Sequence, residues 1–432
     1  MNQNQKSHRR EFLNTASAAF TTSIFTGRVK GANDRIALGH IGLGAIGMSS
    51  YRITMKMPNA AVKAVCELHE PYLKQVAAET GGHVRTTRDF REILADKSID
   101  AISISTPNHW HAYMAVEACK AGKDVYVEKP LSYSIEEGTQ MVQAARKYNR
   151  VVQAGTWQRS APHFQKACEL LRGGAIGKIA FARTWNYDNR PALGFGTPPE
   201  GGPPPGFDWD MWLGPAPWRP YNRNRVGRPG GLDFPGFHWY WDYGGAQVTN
   251  WGAHWIDIVQ MAFGEIMPKS VMAAGGKFHF TDDREIADTV QVSFEYPGFL
   301  ACYENRNNNG ESMFAKSSGM LFHGSLGTMS LDRQGYRIIP ERGSPVSETS
   351  AKTLGNPVAQ HWENFLECVR TRQRPNSDVE YCNRSTTACH LGIVALRSGM
   401  RIDWDEANWT VKQTEARRFL AREPRPQWKI VV

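Results

Sequence analysis

At 432 residues the chain is too long for one ordinary core and fits two domains. Its 41% hydrophobic and 22% charged residues are those of an average globular protein, and no run after the N-terminus approaches the roughly 20 apolar residues of a stable membrane span. The net charge of +9 is scattered, with one cluster at Arg219, Arg223, Arg225 and Arg228. No nucleic-acid-binding motif accompanies it, which argues against nucleic acid as a partner; the cluster reads as a solvated loop or an anion site.

The chain opens with Arg9-Arg10-Glu11-Phe12-Leu13, followed by a weakly apolar Ala/Thr/Ser-rich stretch at 15–26. That order matches a twin-arginine signal, so residues 1–32 are expected to engage the twin-arginine export machinery and place the protein in the periplasm or otherwise outside the cytoplasm. No A-x-A site follows, and cleavage of the signal stays open. Seven cysteines without a CxxC pair read as buried thiols, in keeping with folding in a reducing compartment before export.

Residues 33–155 alternate short β-branched runs (RIALGHIGLG, AVKAVCE, HVRTT, DAISIST, DVYVEKP, VVQAGT) with helical patterns. This predicts an α/β domain with a doubly wound parallel sheet of the Rossmann type. Gly42, Gly44 and Gly47 fall in the first strand-to-helix turn, where the N–H groups beside Ala45 and Ile46 can receive a pyrophosphate. Glu67 closes the second strand, 20 residues after Gly47, the spacing of the carboxylate that binds the adenosine ribose. A carboxylate there favours NAD, with NADP still possible. Ligands gather beyond the carboxyl ends of parallel strands, so Thr106, Pro107, Asn108 and His111 after the fourth run are further cofactor candidates, as are Glu128 and Lys129 after the fifth. Ser134 and Glu137 form a capping box for the next helix. His109 and His111 lack metal-ligand spacing, and no metal is expected.

GLGAIG, Cys66-Glu67, TPNHWH, VEKP and the later HWENF together resemble the Gfo/Idh/MocA oxidoreductases, over about residues 34–404. The resemblance implies that Lys129 contacts the reacting hydroxyl beside the nicotinamide, and that the Lys129–Pro130 bond is often cis.

From residue 156 to 432 the pattern changes. KIAFARTWNY, TVQVSFEYP, MLFHGSLGTMSL and YRIIP are strand-like runs without intervening helices, which predicts an α+β domain with a mostly antiparallel sheet. The resemblance implies that this sheet is open and that one face supports homo-oligomers. Residues 191–236 hold 11 of the 24 prolines and form a long loop. Seven of the 14 tryptophans lie between 209 and 255; most are expected to pack the loop, and one or two to meet a ligand.

The segment GGAQVTNWGAHWIDIVQMAFG predicts one helix ending at Gly264, with Asn250, His254 and Asp257 on one face. The resemblance assigns His254 as acceptor of the hydroxyl proton, with Asn250 standing where the family has Asp. An Asn orients an imidazole without adding charge. Arg159 and Asn250 are candidate substrate contacts.

The expectation is hydride transfer between a hydroxyl-bearing carbon of a sugar, polyol or glycoside and a nicotinamide cofactor, with Lys129 and His254 as the catalytic pair. Export away from the cytoplasmic NAD pool implies a tightly bound, recycled cofactor. A redox-neutral NAD-dependent glycoside hydrolase and a non-catalytic carbohydrate-binding protein remain as alternatives.

Overall fold

A computed structural model describes residues 35–189, 194–227 and 236–432. The segment expected to act as a twin-arginine signal and Arg228 lie outside the described residues.

The first half builds β1 (Ile36–Ile41), α1 (Ala45–Thr54), β2 (Ala60–Cys66), α2 (Glu70–Thr80), β3 (Arg85–Thr87), α3 (Phe90–Ala95), β4 (Ala101–Ile104), α4 (Asn108–Lys120), β5 (Asp124–Val127), α5 (Ile135–Lys147) and β6 (Val152–Ala154). All pairings are parallel, in the order β3-β2-β1-β4-β5-β6. Every residue of β1, β4, β5 and β6 is buried, as a sheet covered on both faces requires. Strand order reverses between β1 and β4, which opens a crevice at their carboxyl ends. Ser134 caps α5 by accepting from the Glu137 N–H, but Glu137 reaches back to the Tyr133 N–H rather than to its own cap.

The second half continues with α6 (Pro162–Arg172), β7 (Ile179–Tyr187), α7 (Ala246–Asn250), α8 (Gly252–Phe263), β8 (Ser270–Gly276), β9 (Thr289–Tyr296) and β10 (Phe299–Arg306). It ends with β11 (Ser318–Gly324), β12 (Gly327–Asp332), β13 (Gly335–Pro340), β14 (Thr349–Lys352), α9 (Pro357–Thr371), α10 (Val379–Ser398), β15 (Ile402–Asp405) and β16 (Thr410–Val411). The strands form one sheet in the order β14-β13-β12-β11-β7-β10-β9-β8-β15-β16. Only β7 and β10 pair in parallel; the other ladders are antiparallel. The single helix expected up to Gly264 is two helices, α7 and α8, meeting at Trp251; Gly264 ends the second in the left-handed region at φ 79°.

The cores do not divide where the sequence pattern changes. Trp362, Phe365 and Leu366 of α9 pack against Ile36, Leu38 and Tyr126 of the parallel sheet. Trp362 stacks on Tyr126 with ring centroids 4.0 Å apart. Trp428 packs on Phe90 and Trp110. Residues of the C-terminal half thereby complete the N-terminal core.

Of the long loop, the described parts carry an aromatic core of their own. Trp209 and Trp212 stack at 4.8 Å and share a cluster with Trp239, Tyr240 and Tyr243. Packing therefore accounts for most of these rings; Trp212 also lines a cavity along the strand ends, and Trp218 is 63% exposed. Arg219 pairs with Asp242 at 2.8 Å, and Arg225 lies on Tyr240 between Glu200 and Glu285. All seven cysteines are buried and unpaired.

Candidate active site

The turn between β1 and α1 is shaped by close backbone approaches. Gly42 sits at φ 88°, and a Cβ there would meet the Ser105 carbonyl oxygen at 2.6 Å. At Gly47 a Cβ would fall 2.0 Å from the Gly42 carbonyl oxygen. Gly44, the N-cap of α1, faces open space. No side chain caps α1 and no acid stands in its first turn, so its N–H groups are left for an anion.

Glu67 is locked beside this turn. One carboxylate oxygen accepts from the Leu43 N–H at 2.6 Å; the other accepts from Leu68 and His69 at 2.7 and 2.9 Å. The oxygen bonded to Leu43 keeps a lone pair for a ribose hydroxyl.

A cavity of about 610 Å³ starts here and follows the strand ends. Gly42, Gly44, Ala45, Ile46 and Glu67 line its first part. Thr106, Pro107 and Asn108 line the middle, and Glu128 and Lys129 the far end. Gly47 shapes the turn from behind. Arg88, from the end of β3, also lines the cavity and gives its guanidinium to the Gly206 carbonyl. The open helix start, the fixed carboxylate and the run of strand ends fit a dinucleotide.

At the far end the Lys129–Pro130 peptide is cis. Glu128 is half-buried against Gly155, where a Cβ would meet its carboxyl at 2.8 Å, and desolvation pushes the Glu128 pKa up to about 7. Burial pushes the Lys129 ammonium down to about 8; Glu128 works against that shift and Arg333 with it. Lys129 Nζ donates to Asn250 Oδ1, while Asn250 Nδ2 donates to Gln247 Oε1 at 3.2 Å. Asn250 therefore holds Lys129, and the expectation that it orients His254 is corrected: both ends of its amide are engaged elsewhere.

His254 is buried with no partner at Nδ1. Burial, then the charges of Arg333 and Lys129, hold its pKa well below the usual histidine value, so the ring is neutral. It lies between Trp157 and Trp251, at ring-centroid distances of 6.2 and 6.1 Å.

Two further corrections concern side chains whose donors or ring nitrogens are engaged. Arg159, expected to touch substrate, is 3% exposed and is saturated by Asp257 and Glu265 at 2.7–3.0 Å. It ties α8 to the helix–strand turn after it. His111, expected to touch cofactor, points both ring nitrogens at backbone carbonyls, Pro130 at 2.8 Å and Thr106 at 2.9 Å. Burial lowers its pKa to about 4, so the ring carries one N–H and braces the two strand-end loops without lining the cavity.

The sequence reading missed His238 and Arg333. His238, buried in a turn at Gly236–Trp239, lines the cavity with Nδ1 unpartnered. Burial and Lys129 hold it well below the usual histidine pKa. Neither residue sits in a periodic or motif-like stretch, so no local signal marked them. Among the described residues no group of three or more His, Cys, Asp or Glu side chains can hold a metal ion, and no helix is long and apolar enough to cross a membrane.

Residues 36–156 match the family model described as "Oxidoreductase family, NAD-binding Rossmann fold", and residues 197–430 match "Oxidoreductase family, C-terminal alpha/beta domain". The chain belongs to the Gfo/Idh/MocA oxidoreductase family, and its cofactor is NAD. Among its relatives are levoglucosan dehydrogenase of Pseudarthrobacter phenanthrenivorans, 34% identical over 30% of this chain and 35% of that protein, and inositol 2-dehydrogenase of Rubrobacter xylanophilus, 30% identical over 38% and 48%. The chain spans less than half the length of these curated relatives. The fold is similar to the solved levoglucosan dehydrogenase complex with NADH and levoglucosan, at TM-score 0.65 and 18% identity, over 85% of this chain and 99% of that one.

Proposed function

We propose that the protein transfers hydride between NAD and a hydroxyl-bearing carbon of a sugar, polyol or glycoside. The observation that carries this reading is Lys129: a half-buried, softened ammonium just past the end of β5, lining the dinucleotide-shaped cavity and held by Asn250. Levoglucosan and inositol dehydrogenases among the relatives support a carbohydrate substrate.

When bound, NAD supplies the hydride acceptor. The chain's own residues do the rest. Lys129, still protonated at pH 7 with a pKa of about 8, donates to the substrate oxygen and stabilises the negative charge that grows there. Asn250 fixes the ammonium by accepting one of its three protons. His254, neutral and with a free ring nitrogen, takes the hydroxyl proton.

The Arg9-Arg10 segment supports export through the twin-arginine pathway, and export favours a cofactor that travels with the fold. Met272, Leu300 and Ile339, exposed on the face of the ten-stranded sheet away from its helices, support a homo-oligomer.

The test is to purify the exported protein, denature it and assay the supernatant for nicotinamide dinucleotide. About one equivalent per chain is the outcome expected of a carried cofactor. Stoichiometric NADH formation with added NAD identifies a simple dehydrogenase. Solvent deuterium entering beside the oxidised carbon without NADH accumulation identifies the redox-neutral hydrolase. A protein that neither contains nor binds NAD would overturn the reading.

A further inference from the structure

Arg333 stands at the tip of the β12–β13 hairpin, and its guanidinium lies over Trp251 at 4.4 Å and Trp157 at 4.7 Å. Those are the two rings that flank His254. Trp251 directly follows Asn250, the residue that holds Lys129, so the hairpin tip reaches the reaction end of the site.

The cation has no anion to answer it among the described residues. Its hydrogen bonds run from Nε and Nη2 to one neutral oxygen, Gln158 Oε1, each at a long 3.4 Å. The neighbouring Asp332 is turned away: its carboxylate accepts from the Gln334 and Gly335 N–H groups and pairs with Lys316. The contrast with Arg159, which carries two carboxylates, is complete. A partly desolvated guanidinium left without a counterion is costly unless a ligand brings one. Its Nη1 donates to no described residue, which leaves the Nη1–Nη2 edge for a planar, two-oxygen acceptor.

We infer that Arg333 binds a carboxylate on the substrate, so that the carbohydrate taken by this site is an acid of the uronic type. This rests on the oxidoreductase reading for the placement of substrate, and goes beyond it by naming the group that selects the sugar. One cation answers one negative charge, which favours a carboxylate over a phosphate dianion. The tryptophans beside the guanidinium hold it flat and restrict the carboxylate to an in-plane approach.

The experiment is a tryptophan-fluorescence titration of the NAD-loaded protein with D-glucuronate, D-glucose, acetate and inorganic phosphate, in the wild type, Arg333→Met and Arg333→Lys. The expected result is glucuronate binding about 10- to 100-fold tighter than glucose, acetate saturating weakly and phosphate weaker still. Arg333→Met should erase the acid preference while retaining NAD and its thermal midpoint, and Arg333→Lys should restore only part of it. Wild type that binds glucuronate no better than glucose, or Arg333→Met that keeps the preference, overturns the inference. If neutral sugars still reduce NAD in that case, the oxidoreductase reading stands. Glucuronate held through Arg333 without any hydride exchange would remove the oxidoreductase reading and leave the carboxylate site.

Discussion

The two ends of the cavity are built from different materials. At the nucleotide end, Gly42, Gly44, Gly47 and a Glu67 locked by three N–H groups present backbone geometry. At the reaction end, Lys129 and His238 line the cavity, Asn250 holds the lysine and His254 follows on the next helix; these are side chains from distant segments, two of them with unpartnered nitrogens. Backbone sites tolerate little change where, as at Gly42 and Gly47, an added Cβ meets another backbone atom. Side-chain sites stay tunable, since one substitution shifts a charge without moving the fold. One family can thus keep a cofactor and exchange substrates.

The sharpest way to break this contrast is Lys129→Ala. It should lower kcat/KM by about 10²- to 10⁴-fold while bound NAD is retained, measured by turnover and cofactor content on the same sample. Retained activity would remove Lys129 from the chemistry. Arg159→Leu should act on stability alone, by about 3–5 kcal/mol, because Asp257 is left as an unpaired buried charge. Urea unfolding reads that loss, and a selective rise in KM instead would return Arg159 to the substrate site.

Gly47→Ala forces a Cβ against the Gly42 carbonyl and should cost about 1–3 kcal/mol, expressed mainly as weaker NAD binding by calorimetry. Asn250→Asp is the mildest change and the most informative about charge. With Lys129 acting as an ammonium, kcat/KM holds below about pH 8 and falls as pH rises through that value. A carboxylate at 250 favours the charged lysine, so the falling limb should move up by about one pH unit or more. A pH profile of the two proteins checks the direction, and a limb that stays put would mean that a different group is titrating.

The nucleotide end was legible because its signals are local. GLGAIG needs only the strand before it and the helix after it, and Glu67 follows at a fixed spacing. The lysine was legible for the same reason, at the end of a strand closed by proline. Asn250 was read as the partner of His254 from helical spacing, but the Lys129 ammonium, 121 positions away in sequence, claims its oxygen. Arg159 looked available until Glu265, 106 positions on, reached it. Arg333 and His238 lie in a hairpin tip and an irregular turn. There no periodicity marks burial, and only the assembled fold shows what surrounds them.

The stacking of Trp362 on Tyr126 sets the order in which the molecule can be finished. Every strand of the parallel sheet has been synthesised by residue 154, yet the outer surface of that sheet at Ile36, Leu38 and Tyr126 stays bare until α9 arrives some 200 positions later. A nascent chain therefore carries an unfinished nucleotide half, with apolar surface open to aggregation, until that helix is made. Cutting the gene between the two halves would yield a sticky fragment rather than a portable NAD module.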